Sequence, residues 1–180
     1  MTKEYTITVF SEHITGILSR VVSVFTRRHI NIESLTTSQS SIEGIHRFTI
    51  VVVVTEDMVK KLVAQLDKQI DIINDFPYEP EDTVYQEIAL YKVPFEMFCD
   101  GNKVERLVRA HNARILVIEP EYVVVEKTGH AAETEALLQE FKAIGHIYGF
   151  VRSGRVAIVK PMERLNRYLE SLQTVEEGVS

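Results

Sequence analysis

Two different spacings of apolar residues follow one another along this chain. Tyr5, Ile7 and Val9 alternate with polar residues, as in a half-buried strand, whereas residues 17–28 repeat apolar positions at helical spacing. The pattern predicts, in order, a strand at residues 4–10, a helix at 17–28, an extended segment at 31–39, a turn at 40–44, a strand at 46–54, a helix that begins at Thr55 and a strand at 70–76. The first half therefore has the order βαββαβ.

The second half of the chain repeats this order. The pattern predicts strands at residues 85–93, 115–119, 122–127, 146–151 and 155–159 and helices at 103–110 and 134–141. Between the halves lies the acidic stretch "YEPEDT", which we interpret as a linker without regular structure because Pro77 is followed by Pro80. We expect an α+β protein built from two tandem ferredoxin-like βαββαβ sandwiches.

These boundaries divide the chain into four parts. The first domain covers residues 1–77, the linker 78–84, the second domain 85–160 and a helical tail 161–180. In the tail, Met162, Leu165, Leu169 and Leu172 form an apolar stripe, which favours a helix packed on its own domain over a helix that docks on a partner. Since each short domain leaves a sheet edge and a sheet face open, we expect a dimer.

Composition and charge narrow the class of protein. The net charge is −6, and a general nucleic-acid binder usually has a basic face, so nucleic acid is disfavoured. The single cysteine, Cys99, excludes an internal disulfide and fits a reducing compartment. The N-terminus begins an alternating strand without a signal-peptide core, and the longest apolar run, residues 50–54, is far too short to cross a membrane. We expect a soluble, cytoplasmic protein that binds no membrane.

The loop "SEHITG" between the first strand and the first helix carries the most suggestive chemistry. The first turn of a helix has free N–H groups and a partial positive charge, and Gly16 allows a ligand to approach the backbone. With one glycine and no P-loop lysine, a carboxylate suits this site better than a pyrophosphate. Glu12 and His13 have polar groups for the other end of a zwitterion, such as a free amino acid. The alternative is that Gly16 only permits the turn.

Other chemistry is not indicated. The six histidines form no HxxxH or HExxH pair, and there is no CxxC, so no metal site is expected. Acidic neighbours would raise the thiol pKa of Cys99, which disfavours a nucleophile. Glu119 and Glu121 flank a proline in a hairpin, as in a solvated turn. Arg152 and Arg155 bracket another turn, where solvation is favoured over pairing with a partner's acids.

Four stretches carry a family resemblance: "SEHITGILSRVVSVFTRRHINIESL", "YQEIALYKV", "RILVIEPEYVVVEKTG" and "VRSGRVAI". Over roughly residues 4–159 the chain closely resembles the small, regulatory subunit of acetolactate synthase (acetohydroxyacid synthase). The first domain resembles an ACT domain, a ferredoxin-like module that binds amino acids. The other domain is similar to the C-terminal domain of that family.

The resemblance implies a non-catalytic subunit that binds the catalytic large subunit, raises its activity and confers feedback by a branched-chain amino acid, usually valine. Thiamine diphosphate, magnesium and FAD would belong to that partner, and this chain would carry no cofactor. Two ACT domains would pair into a homodimer with the effector between them. The effector-binding residues carried over by position are His13, Gly16 and Ile17 from one chain, with Asn31 and Ile32 from the other.

The chain departs from the family pattern at His13 and at Lys160-Pro161, of which His13 matters for the effector, and three alternatives stay open. The family commonly has asparagine where this chain has His13, so effector choice or pH response is expected to differ. A free-standing ACT-type amino-acid sensor, acting on another partner, would share the same loop. A small enzyme would need a pocket of ionisable groups that the sequence does not indicate. An RNA-binding sandwich would need stacking aromatics on its central strands, which are absent.

Overall fold

The computed structural model describes residues 1–99 and 102–160. These residues form two compact units, one made of Met1–Val84 with residues 157–160, the other of Tyr85–Val156. The helix predicted at 161–173 lies outside the described residues.

The first unit is an antiparallel sheet with two helices. Its elements are β1 (Thr2–Glu12), α1 (Ile17–Thr26), β2 (Ser34–Gln39), β3 (Ile45–Thr55), α2 (Glu56–Leu66) and β4 (Ile72–Tyr78). The strands lie in the order β2-β3-β1-β4, with Ile7 opposite Ile50 and Gln39 opposite His46. The predicted βαββαβ fold is confirmed, and β2 and β4 are the edge strands of the sheet.

Helical spacing places the apolar side chains of both helices on the core of this unit. The buried core contains Ile7, Val9, Val21, Val24, Phe25, Ile50, Val52, Val59, Leu62 and Leu66, among others. Thr55 caps the helix α2 as predicted: its hydroxyl accepts the Met58 N–H at 3.3 Å, and two acids follow in the first turn. The core and the cap together fix where α2 begins and which of its faces packs on the sheet.

A carboxylic acid interrupts the apolar core. Asp75 on β4 lies opposite Val9 and is 5 % exposed. Residues directly opposite on paired strands face the same side of a sheet, so Asp75 faces the helices with Val9. Neither of its carboxylate oxygens has a hydrogen-bond partner in the described part of the chain. Burial, followed by the neighbouring Asp67 carboxyl, raises the pKa of Asp75 to about 8. The side chain is therefore mostly protonated near neutral pH.

The segment predicted to be an irregular linker is ordered. Pro80–Asp82 forms a 3₁₀ turn, and β4 and the next strand reach it on either side. Pro80 fits the first position of such a turn because it needs no N–H there. The Thr83 hydroxyl donates to the Pro80 carbonyl at 3.2 Å and closes the turn. The prediction of irregular structure was wrong because one proline that begins a turn was interpreted as a breaker.

The second sheet repeats the topology of the first. Its elements are β5 (Thr83–Pro94), α3 (Glu96–Cys99), α4 (Lys103–Ala110), β6 (Arg114–Ile118), β7 (Tyr122–Gly129), α5 (Ala131–Ile144), β8 (Gly149–Arg152) and β9 (Val156–Val159). The strand order is β6-β7-β5-β8, and β9 also pairs with β5. Two tandem sandwiches are therefore confirmed, with the short helix α3 as an unpredicted addition.

The edge strand β6 has an unusual surface. Ile115, Leu116, Val117 and Ile118 are consecutive, and each is between 39 % and 62 % exposed. Among the described strands, β6 pairs only with β7, so its other edge is open. This unit therefore presents four neighbouring aliphatic side chains beside an unpaired backbone edge.

Tyr91 connects β5 to α5 in the core of the second unit. It is fully buried, its ring lies 5.4 Å from that of Phe141, and its hydroxyl donates to the Thr134 carbonyl at 2.6 Å. Burial raises the pKa of this hydroxyl, so it stays a donor at any ordinary pH. The hydrogen bond fixes the helix at a defined position on the sheet.

We expect Tyr91→Phe to lower the free energy of unfolding by about 1 kcal/mol. The substitution keeps the ring contacts but leaves the Thr134 carbonyl without its donor. Urea denaturation of the full chain measures the change. Tyr148→Phe is the matched control, because Tyr148 is 55 % exposed, and it should leave stability unchanged. If Tyr91→Phe leaves the free energy of unfolding unchanged, the role given to this hydrogen bond is contradicted.

Candidate functional site

The loop between β1 and α1 ends in a glycine that opens the helix N-terminus. Gly16 is the N-cap of α1, with φ 86° and ψ −2°, and no side chain caps the helix. Residues other than glycine rarely adopt this left-handed conformation. A Cβ added at Gly16 would meet no atom within 4 Å. Glycine is therefore required here by backbone conformation, and the space above it is open.

The first turn of α1 has donors without acceptors. The Arg20 N–H donates to the Gly16 carbonyl at 3.2 Å and closes the turn. The amides of Gly16, Leu18 and Ser19 donate to no backbone or side-chain acceptor within residues 1–99 and 102–160. No acidic side chain occupies the turn. Free N–H groups and the helix dipole make this terminus suitable for a small anion such as a carboxylate.

The backbone N–H of Ile17, unlike that of Gly16, already has an acceptor. Its amide donates to the Ile14 carbonyl over a long 3.4 Å, and its side chain is buried in the core. Of the Gly16 and Ile17 amides, that of Gly16 is the more available to a carboxylate. The amides of Leu18 and Ser19, which have no acceptor among the described residues, are available for a second bond. Ile17 mainly anchors the helix.

His13 is held in the loop by its neighbours on the β2–β3 hairpin. Its N–H donates to the Gly44 carbonyl at 2.9 Å. Its exposed ring stacks on that of His46, with centroids 4.0 Å apart and planes at 16°. A small cavity of about 70 Å³ borders the pair and is lined by His13, Gln39, Ser40, Ile42, Glu43, Gly44, Ile45 and His46. His13 is thus a fixed side chain of the loop.

Asn31 and Ile32 lie elsewhere in the same unit, in the connection from α1 to β2. Asn31 is exposed and lines an open cavity of about 380 Å³, together with Thr2, Arg28, His29, Ile30, Glu33, Val53, Val54, Thr55 and Met58. Ile32 is half-buried against the core. The strand β2 starts beside Val51 and ends beside His46, a span of about 17 Å. Within one chain the predicted site residues therefore occupy opposite ends of the sheet.

Gly44 and His46 contact His13 and were not predicted from the sequence. Gly44 and His46 lie next to the loop because the start of β3 pairs with the end of β1, where Glu12 faces Ile45. The predicted βαββαβ order already brings these two ends together. The topology was the signal that could have identified them.

The predicted solvated turn around Arg155 is wrong. Arg155 is 3 % exposed, and its guanidinium lies 3.7 Å from the centre of the Tyr85 ring. Its Nε is 3.8 Å from Glu87 Oε1, while Arg152 Nε is 3.3 Å from Glu87 Oε2. Glu87 is itself buried, so two arginines balance one buried carboxylate. This cluster stabilises the second unit, and nothing in it converges on an open site.

The described residues form neither a metal-binding cluster nor a membrane-spanning helix. No group of three or more His, Cys, Asp or Glu side chains among the described residues is arranged to hold a metal ion. Cys99 is exposed. Within the same residues, no helix combines the length and apolarity needed to cross a bilayer.

Two family models match the chain. Residues 7–74 match the small-subunit-like ACT domain of acetohydroxyacid synthase, and residues 86–161 match the small subunit of acetolactate synthase. The loop with Gly16 and the segment with Asn31 both fall within the first match. Glu87, Arg152 and Arg155 fall within the second.

Similar proteins match most of the chain. The acetolactate synthase small subunit of Bacillus subtilis is 32 % identical over 161 residues, which cover 89 % of this chain and 91 % of that protein. The probable acetolactate synthase small subunit of Methanothermobacter thermautotrophicus is 32 % identical, with 84 % and 90 % covered. The crystal structure of the acetolactate synthase small subunit from Thermotoga maritima superposes with a TM-score of 0.79 at 26 % identity, covering 88 % and 98 %.

Proposed function

Because the chain belongs to the family of acetolactate synthase small subunits, the non-catalytic regulatory subunits of branched-chain amino-acid biosynthesis, we propose that it activates its large catalytic subunit and makes it sensitive to L-valine. The observation that carries the effector half is the open N-terminus of α1, where Gly16 is left-handed and three amides have no acceptor in the described chain.

The effector site is proposed to form between two copies. The strand β2 is an edge strand, since β3 is its neighbour on one side and no described strand lies on the other. A free edge favours pairing with a second strand. If two copies pair through β2 in antiparallel fashion, the start of one β2 lies beside the end of the other. Asn31 of one copy then approaches His13 and Gly16 of the other, which accounts for their separation within one chain.

The residues at this junction suit a free aliphatic amino acid. The effector carboxylate accepts from the Gly16 amide and the first turn of α1. The Asn31 amide supplies a neutral hydrogen-bonding group from the second copy. Ile32 and Leu35 present aliphatic carbon to an isopropyl group. Such a pocket separates one methylene by about 1–3 kcal/mol, so leucine and isoleucine compete with valine.

Catalysis belongs to the large subunit in this proposal. Thiamine diphosphate, magnesium and FAD are expected there. The effector at the paired ACT domains favours one arrangement of the dimer, and the large subunit responds to that arrangement. The chain therefore acts by binding alone.

The test of the proposed function combines calorimetry with an assay. Titration of the purified chain with L-valine should give a saturable heat, and Asn31→Ala should weaken binding by about 10- to 100-fold, the value of a hydrogen bond to a charged ligand. Asn102→Ala is the matched control, because Asn102 is an exposed asparagine of the second unit whose side chain caps nothing. Its affinity should equal that of the wild type.

The cognate large subunit supplies the second readout. Adding the chain should raise acetolactate formation, and L-valine should lower it again. Unchanged acetolactate formation would remove the activator half of the proposal. Absence of heat at millimolar L-valine, L-leucine and L-isoleucine would remove the effector half.

A further inference from the structure

Within the described residues, the stacked rings of His13 and His46 are the one aromatic contact between the β1–α1 loop and the β2–β3 hairpin. The centroid distance of 4.0 Å and the angle of 16° are those of face-to-face stacking. His13 belongs to the loop proposed to bind the effector. His46 lies on β3, opposite Ser11 on one side and Gln39 on the other. The pair therefore connects a binding loop to a fully paired position of the sheet.

The loop has few other attachments at this point. The His13 N–H reaches the Gly44 carbonyl at 2.9 Å, and the Glu12 N–H reaches the Asp71 carbonyl at 3.2 Å. Both bonds fix the backbone and leave the His13 side chain to be oriented by its ring contact. Since His13 is exposed and His46 half-buried, His46 is the fixed member of the pair.

We propose that His46 is a positioning residue for the effector: it orients His13 by ring stacking, and protonation of both rings separates them and weakens effector binding. The inference rests on the proposed function and adds to it a residue and a pH response. A neutral ring stacks on a neutral or a protonated one, whereas two protonated rings at 4.0 Å carry like charges face to face.

The charges around the pair offer limited compensation. Among the residues that line the adjoining cavity, Glu43 alone is acidic. Glu12 precedes His13 and is exposed. The Asp71 carboxylate is paired with Arg20, and the Arg47 guanidinium lies 5.6 Å from the centre of the Phe10 ring and donates to the Ala157 carbonyl. Glu43 and Glu12 are thus the acids near enough to matter, and both face solvent, where salt screens them.

The experiment measures L-valine binding by calorimetry at about pH 8 and about pH 5.5, a range that spans histidine titration while valine keeps its zwitterionic form. The wild type should bind about three- to tenfold more weakly at the lower pH, the worth of an aromatic pair. His46→Leu, which removes the ring, should show a similar loss already at pH 8. His46→Phe, which keeps a neutral ring for His13 at every pH, should bind normally and show no loss at the lower pH.

Two further variants isolate the mechanism. In a His13→Asn background, His46→Leu should have no effect, because the ring that His46 orients is gone. Glu43→Gln should keep the pH response, which assigns that response to the histidines. His146→Leu, in the second unit, is the control for loss of a histidine and should bind as the wild type does.

The outcomes separate the two proposals. If the wild type binds L-valine and His46→Leu binds equally well, or if the affinity of the wild type does not fall at the lower pH, the inference is overturned and the proposed function stands. If Glu43→Gln abolishes the pH response, the histidine mechanism is likewise overturned. If the wild type binds no branched-chain amino acid at either pH, the effector half of the proposed function fails and the inference fails with it.

Discussion

Replacing Gly16 by valine is expected to lower the affinity for L-valine by at least about tenfold and to abolish feedback on the holoenzyme. The residue has φ 86°, so a β-branched side chain there is strained at a cost of about 1–2 kcal/mol. The new Cβ meets no protein atom within 4 Å, so it does not clash with the fold but fills the space through which a carboxylate would reach the Gly16 amide. The backbone strain and the added side chain both hinder hydrogen bonding by the Gly16 amide.

The control for strain is Asn112→Val. Asn112 is a second residue with positive φ, 51°, and it lies in the second unit, after α4. The same side chain in a similar backbone conformation should cost comparable stability and leave L-valine binding unchanged. Calorimetry and urea denaturation of both variants test this. A folded Gly16→Val variant with wild-type affinity for L-valine would remove the effector site from this loop.

Stability of the first unit is expected to fall as pH rises from about 4 to about 8, because of Asp75. The folded-state pKa of this buried acid is about 8, against an ordinary value of 3.8. In that window the folded state holds a proton that the unfolded state has released, so raising the pH favours unfolding. One pKa unit corresponds to about 1.4 kcal/mol. Allowing for relaxation of the site, we expect a loss of roughly 3 kcal/mol across the window.

Asp75→Asn should remove this dependence. The amide stays neutral, so the variant should match the wild type near pH 4 and exceed its unfolding free energy above pH 8. Asp67→Asn is the companion variant, because Asp67 is the second cause of the raised pKa and is itself exposed. It should reduce the pH slope without abolishing it. Urea midpoints across the range provide the measurement, and a pH-independent difference between Asp75→Asn and wild type would contradict the assignment.

Elements with a clear apolar period and a terminal signal were predictable. The helix α4 was predicted with its observed ends, and α2 began at the Thr55 cap as expected. The helix α5 begins three residues before its predicted start, because the Glu133 carboxylate accepts the His130 N–H at 2.7 Å and caps the first turn, which apolar spacing does not reveal. The helix α3 is a single turn, too short for any period to show.

Only those residues of the candidate site that adjacent elements of the sequence indicate could be predicted. Gly16 was identified because a strand, a glycine and a helix follow one another in sequence. His46, by contrast, lies 33 positions further along the chain and reaches the loop through strand pairing. A lone histidine at the start of a strand gives no local sign of a stacking partner. Asp75 was missed for a related reason, since its place in the predicted strand does not say which face of the sheet it occupies unless the register of β4 is known.

The exposed aliphatic edge of β6 sets the conditions under which the isolated subunit stays in solution. An open strand edge with four consecutive aliphatic residues and no proline is a template for cross-strand association between molecules. Overexpression without the catalytic subunit should accordingly yield turbidity at high concentration or on heating, and a lysine in place of Val117 should suppress it.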